Sequence, residues 1–94
     1  MKKKNKTKIK QFLTKENWIQ EYYATDDDGN FCLWRDKRAK KFCLQGALFK
    51  CYPGEAAKIQ YLVEYEIGCD LAPWNDEPER TFEEVKALVE KLDI

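Results

Sequence analysis

The residues with the most evident chemical potential stand together in the stretch "WNDEPER", from Trp74 to Arg80. A tryptophan is followed by an amide and a carboxylate, and an arginine closes the stretch. Such residues can form a recognition surface, because tryptophan and arginine are enriched at the energetic centres of interfaces. They also suit the approach to a helix, because Asn75 and Asp76 can hydrogen-bond nearby backbone in a turn.

A helix-start signature follows this stretch directly. Thr81 and Glu84 form the pattern T-x-x-E, in which each side chain bonds the other residue's backbone N–H. We expect Arg80 to pair with Asp76 or with Glu84. We expect Trp74 to fold over the core with its indole N–H on a carbonyl. The sequence therefore predicts that most of the stretch starts and anchors a helix, and an exposed recognition surface is the alternative.

Catalytic and metal-binding chemistry finds little support in the sequence. Histidine is absent, so a nucleophilic cysteine would have no histidine as its base. The four cysteines, Cys32, Cys43, Cys51 and Cys69, include no close-spaced pair of the kind typical of structural zinc sites. The acidic run 26–28 lacks the spaced ligands and closing glutamate of a calcium loop. We predict a non-catalytic protein without a cofactor or a metal.

The charge of the chain is balanced overall but unevenly placed. Seventeen basic and 17 acidic residues give a formal net charge of zero, so there is no bulk attraction to nucleic acid or membrane. Two basic stretches could nevertheless bind phosphates. Their residues are Lys2, Lys3, Lys4, Lys6, Lys8 and Lys10, and then Arg35, Lys37, Arg38, Lys40 and Lys41. Nucleic-acid binding is therefore the alternative function, although the first stretch also suits a solvated terminus.

The aromatic content points to a different surface. The chain contains 3 Trp, 5 Tyr and 5 Phe in 94 residues. Large rings can fill a small core with few residues, but we expect some of these to remain on the surface. The leading prediction is a non-catalytic protein that binds another protein through that surface. The candidate contact residues are Tyr22, Tyr23, Trp34, Trp74, Asn75, Asp76 and Arg80.

These residues must be positioned by short helices and one hairpin. Apolar spacing predicts a first helix over 8–13. Aromatic residues around the turn cluster "DDDGN" favour a hairpin of 18–25 against 30–34, with Gly29 in the turn, and a helix remains open for the first arm. A long second helix, with Asp36 as its N-cap, runs to Tyr52, and Gly46 allows another element to approach its backbone. A third helix covers 54–68, and a fourth begins after Thr81.

Three blocks of the sequence resemble a known domain family. The first is W-x5-A-x-D-x-x-G from Trp18 to Gly29, the second is "FCLQGAL" from Phe42, and the third is "WNDEPERTFEEV" from Trp74. Together they resemble a small bacterial and phage domain family of unknown function. The resemblance implies an α+β domain with a hairpin between its first two helices, and it is compatible with a phage or prophage origin. It implies no activity.

These observations predict one α+β domain with about four short helices in one core and one β-hairpin between the first and second helices. Its 94 residues suffice for a single core. We assign residues 1–7 to a basic tail and 8–94 to the domain. The start of the chain lacks the apolar stretch of a secretion signal, and no run is long enough to span a membrane. We therefore expect a cytoplasmic protein.

Overall fold

The computed structural model describes residues 7–94, so Lys2, Lys3, Lys4 and Lys6 lie outside the described residues. The α+β class is confirmed, with five helices in the described part of the chain rather than four. In chain order, the elements are α1 (Ile9–Phe12), β1 (Ala24–Thr25), β2 (Lys41–Phe42), α2 (Leu44–Cys51), α3 (Ala56–Ile67), α4 (Leu71–Asn75) and α5 (Phe82–Leu92).

The two strands form an antiparallel pair between the first two helices, but their partners differ from the predicted ones. β1 pairs with β2, with Ala24 opposite Phe42. The predicted arm 30–34 meets β1 only through a single bridge between Thr25 and Phe31. Most of 18–23 is irregular, and Glu21 takes a positive φ of 78°. An extended strand cannot continue through that conformation, so the predicted first arm is reduced to its last two residues.

The second helix begins seven residues later than predicted from Asp36 as its cap. Its N-cap is Cys43, whose Sγ accepts a hydrogen bond from the Gly46 N–H at 3.3 Å. Asp36 instead closes a local turn, in which its Oδ1 accepts from the Arg38 N–H at 2.8 Å. Aspartate favours both helix caps and such turns, and the pairing of Lys41 into β2 excludes the helix here.

The short helix α4 is absent from the sequence-based prediction. It begins after Asp70 and contains Pro73 in its first turn, where a missing N–H costs no intrahelical bond. The Leu71 N–H donates to the Glu64 carboxylate at 2.8 Å, which lowers the pKa of Glu64 and ties the start of α4 to α3. Leu71 is fully buried, so α4 carries an anchor into the core.

The core surrounds α2, which is buried along most of its length. A Cβ on Gly46 would lie 2.0 Å from the Tyr23 carbonyl oxygen, so only glycine fits there. This confirms the predicted close approach to the backbone of α2. Among the helices of residues 7–94, none is both long enough and apolar enough to cross a bilayer.

Candidate functional site

Asn75, a candidate contact residue in the polar stretch, lies inside the protein. It is fully buried, and its Oδ1 accepts from the Trp18 indole N–H at 2.7 Å and from the Leu44 N–H at 3.1 Å. Its Nδ2 donates to the Ile19 carbonyl at 3.2 Å and to the Asp76 carboxylate at 3.0 Å. One amide thus joins the end of α4, the start of α2 and the irregular segment after α1. Asn75 therefore does not belong to an exposed surface.

The neighbouring residues extend this network. The Asp76 Oδ1 accepts from the Glu21 N–H at 2.9 Å, which holds Glu21 in its positive-φ conformation. The Gln20 Nε2 donates to the carbonyls of Asn75 at 2.9 Å and Glu77 at 2.8 Å. The side chains of Gln20 and Asp76 thus each bind backbone groups in the segment that carries the other. This network fixes the irregular segment that carries the adjacent tyrosines.

Arg80 connects the turn after α4 to the start of α5. Its Nε donates to the Trp74 carbonyl at 2.8 Å, and its guanidinium carbon lies 3.8 Å from the centroid of the Trp74 ring. Its other nitrogens pair with Glu77 at 3.1 Å and Glu84 at 3.3 Å. Glu84 is therefore the partner among the two predicted, and Asp76 binds elsewhere. Trp74 packs against the core as expected. Within residues 7–94, the indole N–H that donates to a side-chain amide belongs to Trp18, and its acceptor is Asn75.

The predicted capping box at the start of α5 is present. The Glu84 N–H donates to the Thr81 Oγ1 at 3.2 Å, and the Thr81 N–H donates to the Glu84 Oε1 at 3.0 Å. The second bond lowers the pKa of Glu84, because it stabilises the carboxylate. The surface cleft beside this turn, about 520 Å³ in volume, is lined by Glu77, Glu79 and Glu84 besides Arg80 and a proline. Because the Arg80 guanidinium is already bonded, we assign no ligand-binding role to this turn.

Two of the predicted aromatic contact residues, Tyr22 and Tyr23, are 48% exposed. Tyr22 meets Phe31 with ring centroids 6.1 Å apart. The Phe49 ring lies 5.6 Å from that of Tyr23 and 5.7 Å from that of Trp34. We call this surface the aromatic face, and its residues are Tyr22, Tyr23, Phe31, Leu33, Trp34 and Phe49. Trp74 is not part of these ring contacts.

Sequence reasoning missed three members of the aromatic face. Phe31 and Leu33 are 60% and 51% exposed and flank the buried Cys32, so alternation along an extended segment turns both outward. That alternation was the available signal. Phe49 is half-buried on α2, and helical periodicity alone does not show which loop it will meet.

The second basic stretch borders the aromatic face in sequence, since Arg35 follows Trp34 directly. The Asp36 carboxylate holds Arg38 through two bonds, of 3.1 and 2.8 Å. Hydrogen bonds from Arg38 lower the pKa of Asp36 to about 2. Further along, Lys37 and Lys40 are exposed, while Lys41 is half-buried in β2. Within residues 7–94, Arg35 and the three lysines of this stretch form no ion pair.

The first basic stretch is described only at Lys8 and Lys10. Both side chains pair with Asp93 at the end of α5. Their hydrogen bonds lower the pKa of Asp93 to about 2, with Lys10 the larger influence. These two lysines therefore form an intramolecular contact between α1 and α5. Among the described residues, no contact joins them to the second basic stretch.

The cysteines do not gather into a site in the described residues. Cys32, Cys43 and Cys51 are buried, and Cys69 is exposed. Burial raises the pKa of Cys51 to about 11 and also raises the pKa values of Cys32 and Cys43. Thiols of this kind are poor nucleophiles, because the thiolate is the reactive form. No group of three or more potential metal ligands forms within residues 7–94.

Comparison with known proteins identifies the family but no activity. Residues 7–92 match the model of a family of unknown function, DUF6197, and the chain therefore belongs to this family. The predicted resemblance to a small family of unknown function is thus confirmed. No curated protein and no solved structure matches the chain.

Proposed function

We propose that this protein is a non-catalytic interaction protein that binds another protein through the aromatic face. The observation that carries the proposal is the exposure of large apolar side chains on two segments joined by the Tyr22–Phe31 ring contact: Tyr22 and Tyr23 at 48%, Phe31 at 60% and Leu33 at 51%. Contiguous apolar patches mark interaction sites in soluble proteins. Fully burying an exposed apolar side chain is worth about 1.5–3 kcal/mol, and these side chains are already about half buried, so a partner gains roughly half of that for each one it covers.

The backbone beneath the aromatic face is also fixed by contacts with the rest of the fold. The Tyr23 carbonyl packs on Gly46 of α2, and the Asp76 carboxylate fixes the backbone at Glu21. A surface that is ordered before binding loses less conformational entropy when a partner arrives. The buried polar network thus supports the proposed function by positioning Tyr22 and Tyr23.

A second candidate function is nucleic-acid binding, favoured by Arg35, Lys37 and Lys40, which follow Trp34 in sequence and form no ion pair within residues 7–94. Exposed rings next to basic side chains are the features that stack and neutralise single-stranded nucleic acid. The predicted contribution of Lys2, Lys3, Lys4 and Lys6 lies outside the described residues. A cytoplasmic location is also proposed, supported by four cysteines that are all free thiols. The proposed phage or prophage origin is supported only by the sequence resemblance.

The test is affinity capture from the native host with the wild type and with the double variant Tyr22→Ser/Phe31→Ser. A control is Lys86→Ser/Glu90→Ser, which changes two exposed side chains of α5 and keeps the net charge. Proteins captured by the wild type are identified by mass spectrometry, purified and tested for direct binding. We expect the first double variant to lose direct binding and the control to keep it.

Two results would contradict the proposal. One is unchanged direct binding by the Tyr22→Ser/Phe31→Ser variant when circular dichroism shows that it is folded. The other is capture of nucleic acid alone, with affinity for labelled single strands that falls steeply as salt rises, which would favour the second candidate. Lys37→Ala/Lys40→Ala should then reduce the salt dependence.

A further inference from the structure

The helix α3 carries a second apolar surface, distinct from the aromatic face. Tyr61, Leu62 and Tyr65 are 69%, 49% and 81% exposed, whereas Val63 is fully buried. At about 100° per residue, the three exposed side chains form one stripe on the side of the helix opposite the buried Ala56 and Val63. The inward side of α3 serves the core, and this outward stripe is left open to solvent.

We propose that a second copy of this chain covers the stripe, with the two α3 helices antiparallel about a two-fold axis beside Leu62. A two-fold interface requires that a surface be complementary to itself. Lys58 precedes Leu62 by four residues and Glu66 follows it by four, so each lies about 6 Å from Leu62 along the helix. In an antiparallel pair, Lys58 of each copy therefore lies level with Glu66 of the other, which gives two equivalent ion pairs.

The apolar residues obey the same symmetry. Leu62 meets its own counterpart near the axis. Tyr65 lies about 4.5 Å beyond Leu62 and Tyr61 about 1.5 Å before it, so antiparallel pairing brings Tyr65 of one copy to within about 3 Å, along the helix direction, of Tyr61 of the other. A parallel pair would instead place Lys58 beside Lys58 and Glu66 beside Glu66. The charge pattern therefore selects the antiparallel arrangement.

The Glu66 carboxylate is already placed at the edge of the stripe by an ion pair with Lys91 of α5. A carboxylate has about four acceptor positions, so it can receive Lys58 of the second copy without releasing Lys91. The pair with Lys91 restricts the Glu66 side chain before association. Less side-chain freedom is then lost when the interface forms.

The size of the stripe determines how strong this dimer can be. Two tyrosines and a leucine expose on the order of 400 Å² per copy, or about 800 Å² for the pair. Stable interfaces bury about 1,200–2,000 Å², so this contact supports a reversible dimer with a Kd on the order of micromolar to millimolar. The dimer is therefore not obligate, and its population rises with protein concentration.

Sedimentation velocity between about 10 and 500 µM tests the proposal, a range that spans such weak affinities. The wild type should shift from monomer towards dimer, and Lys58→Glu should weaken the dimer at least about tenfold because two attractive pairs become repulsive. Lys86→Glu is the matched control, since it makes the same charge change at an exposed lysine of α5. Its dimerisation should equal that of the wild type.

A cross-linking experiment locates the axis. Leu62→Cys/Cys69→Ser should form a disulfide-linked dimer under mild oxidation, because residue 62 faces itself across the axis, and the other three cysteines are buried. Glu90→Cys/Cys69→Ser, at an exposed position on α5, should not. The proposal is overturned if the wild type stays monomeric throughout the range, if Lys58→Glu and Lys86→Glu behave alike, or if both cysteine variants cross-link equally.

Discussion

The polar stretch 74–80 and the aromatic face invert the roles that their residue types suggest. The polar stretch contains the side chains with the richest chemistry, yet Asn75 is fully buried and Arg80 binds Trp74 and two glutamates. The aromatic face contains apolar rings, yet Tyr22 and Phe31 are about half exposed. The exposure of a side chain in these two regions therefore follows from its packing and its hydrogen bonds, and not from its chemical reactivity.

The two regions are also connected. Asn75 and Asp76 hold the backbone from Ile19 to Glu21, and the aromatic face begins at the next residue. The polar stretch therefore fixes the backbone segment that precedes Tyr22 and positions the aromatic face. If this comparison is correct, changes in the first region should reduce stability, and changes in the second should reduce binding.

The largest expected effect comes from Asn75→Ala. It leaves the Trp18 indole N–H, the Leu44 N–H and the Ile19 carbonyl without their buried partner. At about 1–3 kcal/mol for each unsatisfied buried group, we expect a loss of roughly 4 kcal/mol in the free energy of unfolding, measured by urea denaturation. Trp18→Phe, which removes only one donor of this network, should cost less. A loss below about 1 kcal/mol for Asn75→Ala would break the comparison.

Gly46→Ala tests the point where α2 meets the aromatic face. Its added methyl group would lie 2.0 Å from the Tyr23 carbonyl oxygen. The methyl group and the carbonyl are both fixed to the backbone, so the clash can be relieved only by moving the main chain. We expect a loss of about 3 kcal/mol by thermal or urea unfolding. Gly29→Ala is the control, because open space surrounds that position and only its positive φ is disfavoured. Its loss should be about 1 kcal/mol. Equal losses at the two positions would contradict the close approach.

Arg80→Ala should have an intermediate effect. The side chain is only 13% exposed, and the substitution removes its bond to the Trp74 carbonyl together with the stacking on that ring. We expect about 1.5 kcal/mol of lost stability by urea denaturation, with partner capture retained. Arg80→Lys keeps the charge without the planar donor group, so it should recover only part of the loss. Unchanged stability with abolished capture would instead place the binding surface in the polar stretch.

The smallest expected effect concerns Asp36, in the loop that borders the aromatic face. Hydrogen bonds from Arg38 lower its pKa from 3.8 to about 2 in the folded protein. A lowered folded-state pKa means that this stabilisation is complete above about pH 4 and is lost as the pH falls towards 2. Asp36→Asn should therefore flatten the acid dependence of the melting temperature between those values. An unaltered acid limb in Asp36→Asn would contradict the assignment.

The sequence predicted the local features of this fold and missed the long-range ones. The capping box of Thr81 and Glu84 spans three residues, so its chemistry is visible in the sequence and is confirmed. Gly46 could be predicted because glycine inside a helix is unfavourable unless something needs the space. The cap at Asp36 was wrong, since a turn and a helix start favour the same residue type, and only pairing of β1 with β2 decides between them.

The candidate site was harder still to predict. The burial of Asn75 depends on Trp18, 57 residues away, and on Leu44, 31 residues away, and no short-range pattern encodes such contacts. Tyr22, Tyr23 and Trp34 were predicted as surface candidates from residue type alone. Their grouping with Phe49 required knowledge of how α2 lies against the loop.

The most direct test of the comparison is urea denaturation of Asn75→Ala and Tyr22→Ser/Phe31→Ser in parallel with the wild type. We predict that the first variant loses at least about 3 kcal/mol in the free energy of unfolding and that the second, which removes two half-buried rings in contact, loses less than about 2 kcal/mol. That result would show that the polar stretch stabilises the fold and that the aromatic face contributes much less to stability. Equal losses, or a larger loss for the second variant, would contradict the account.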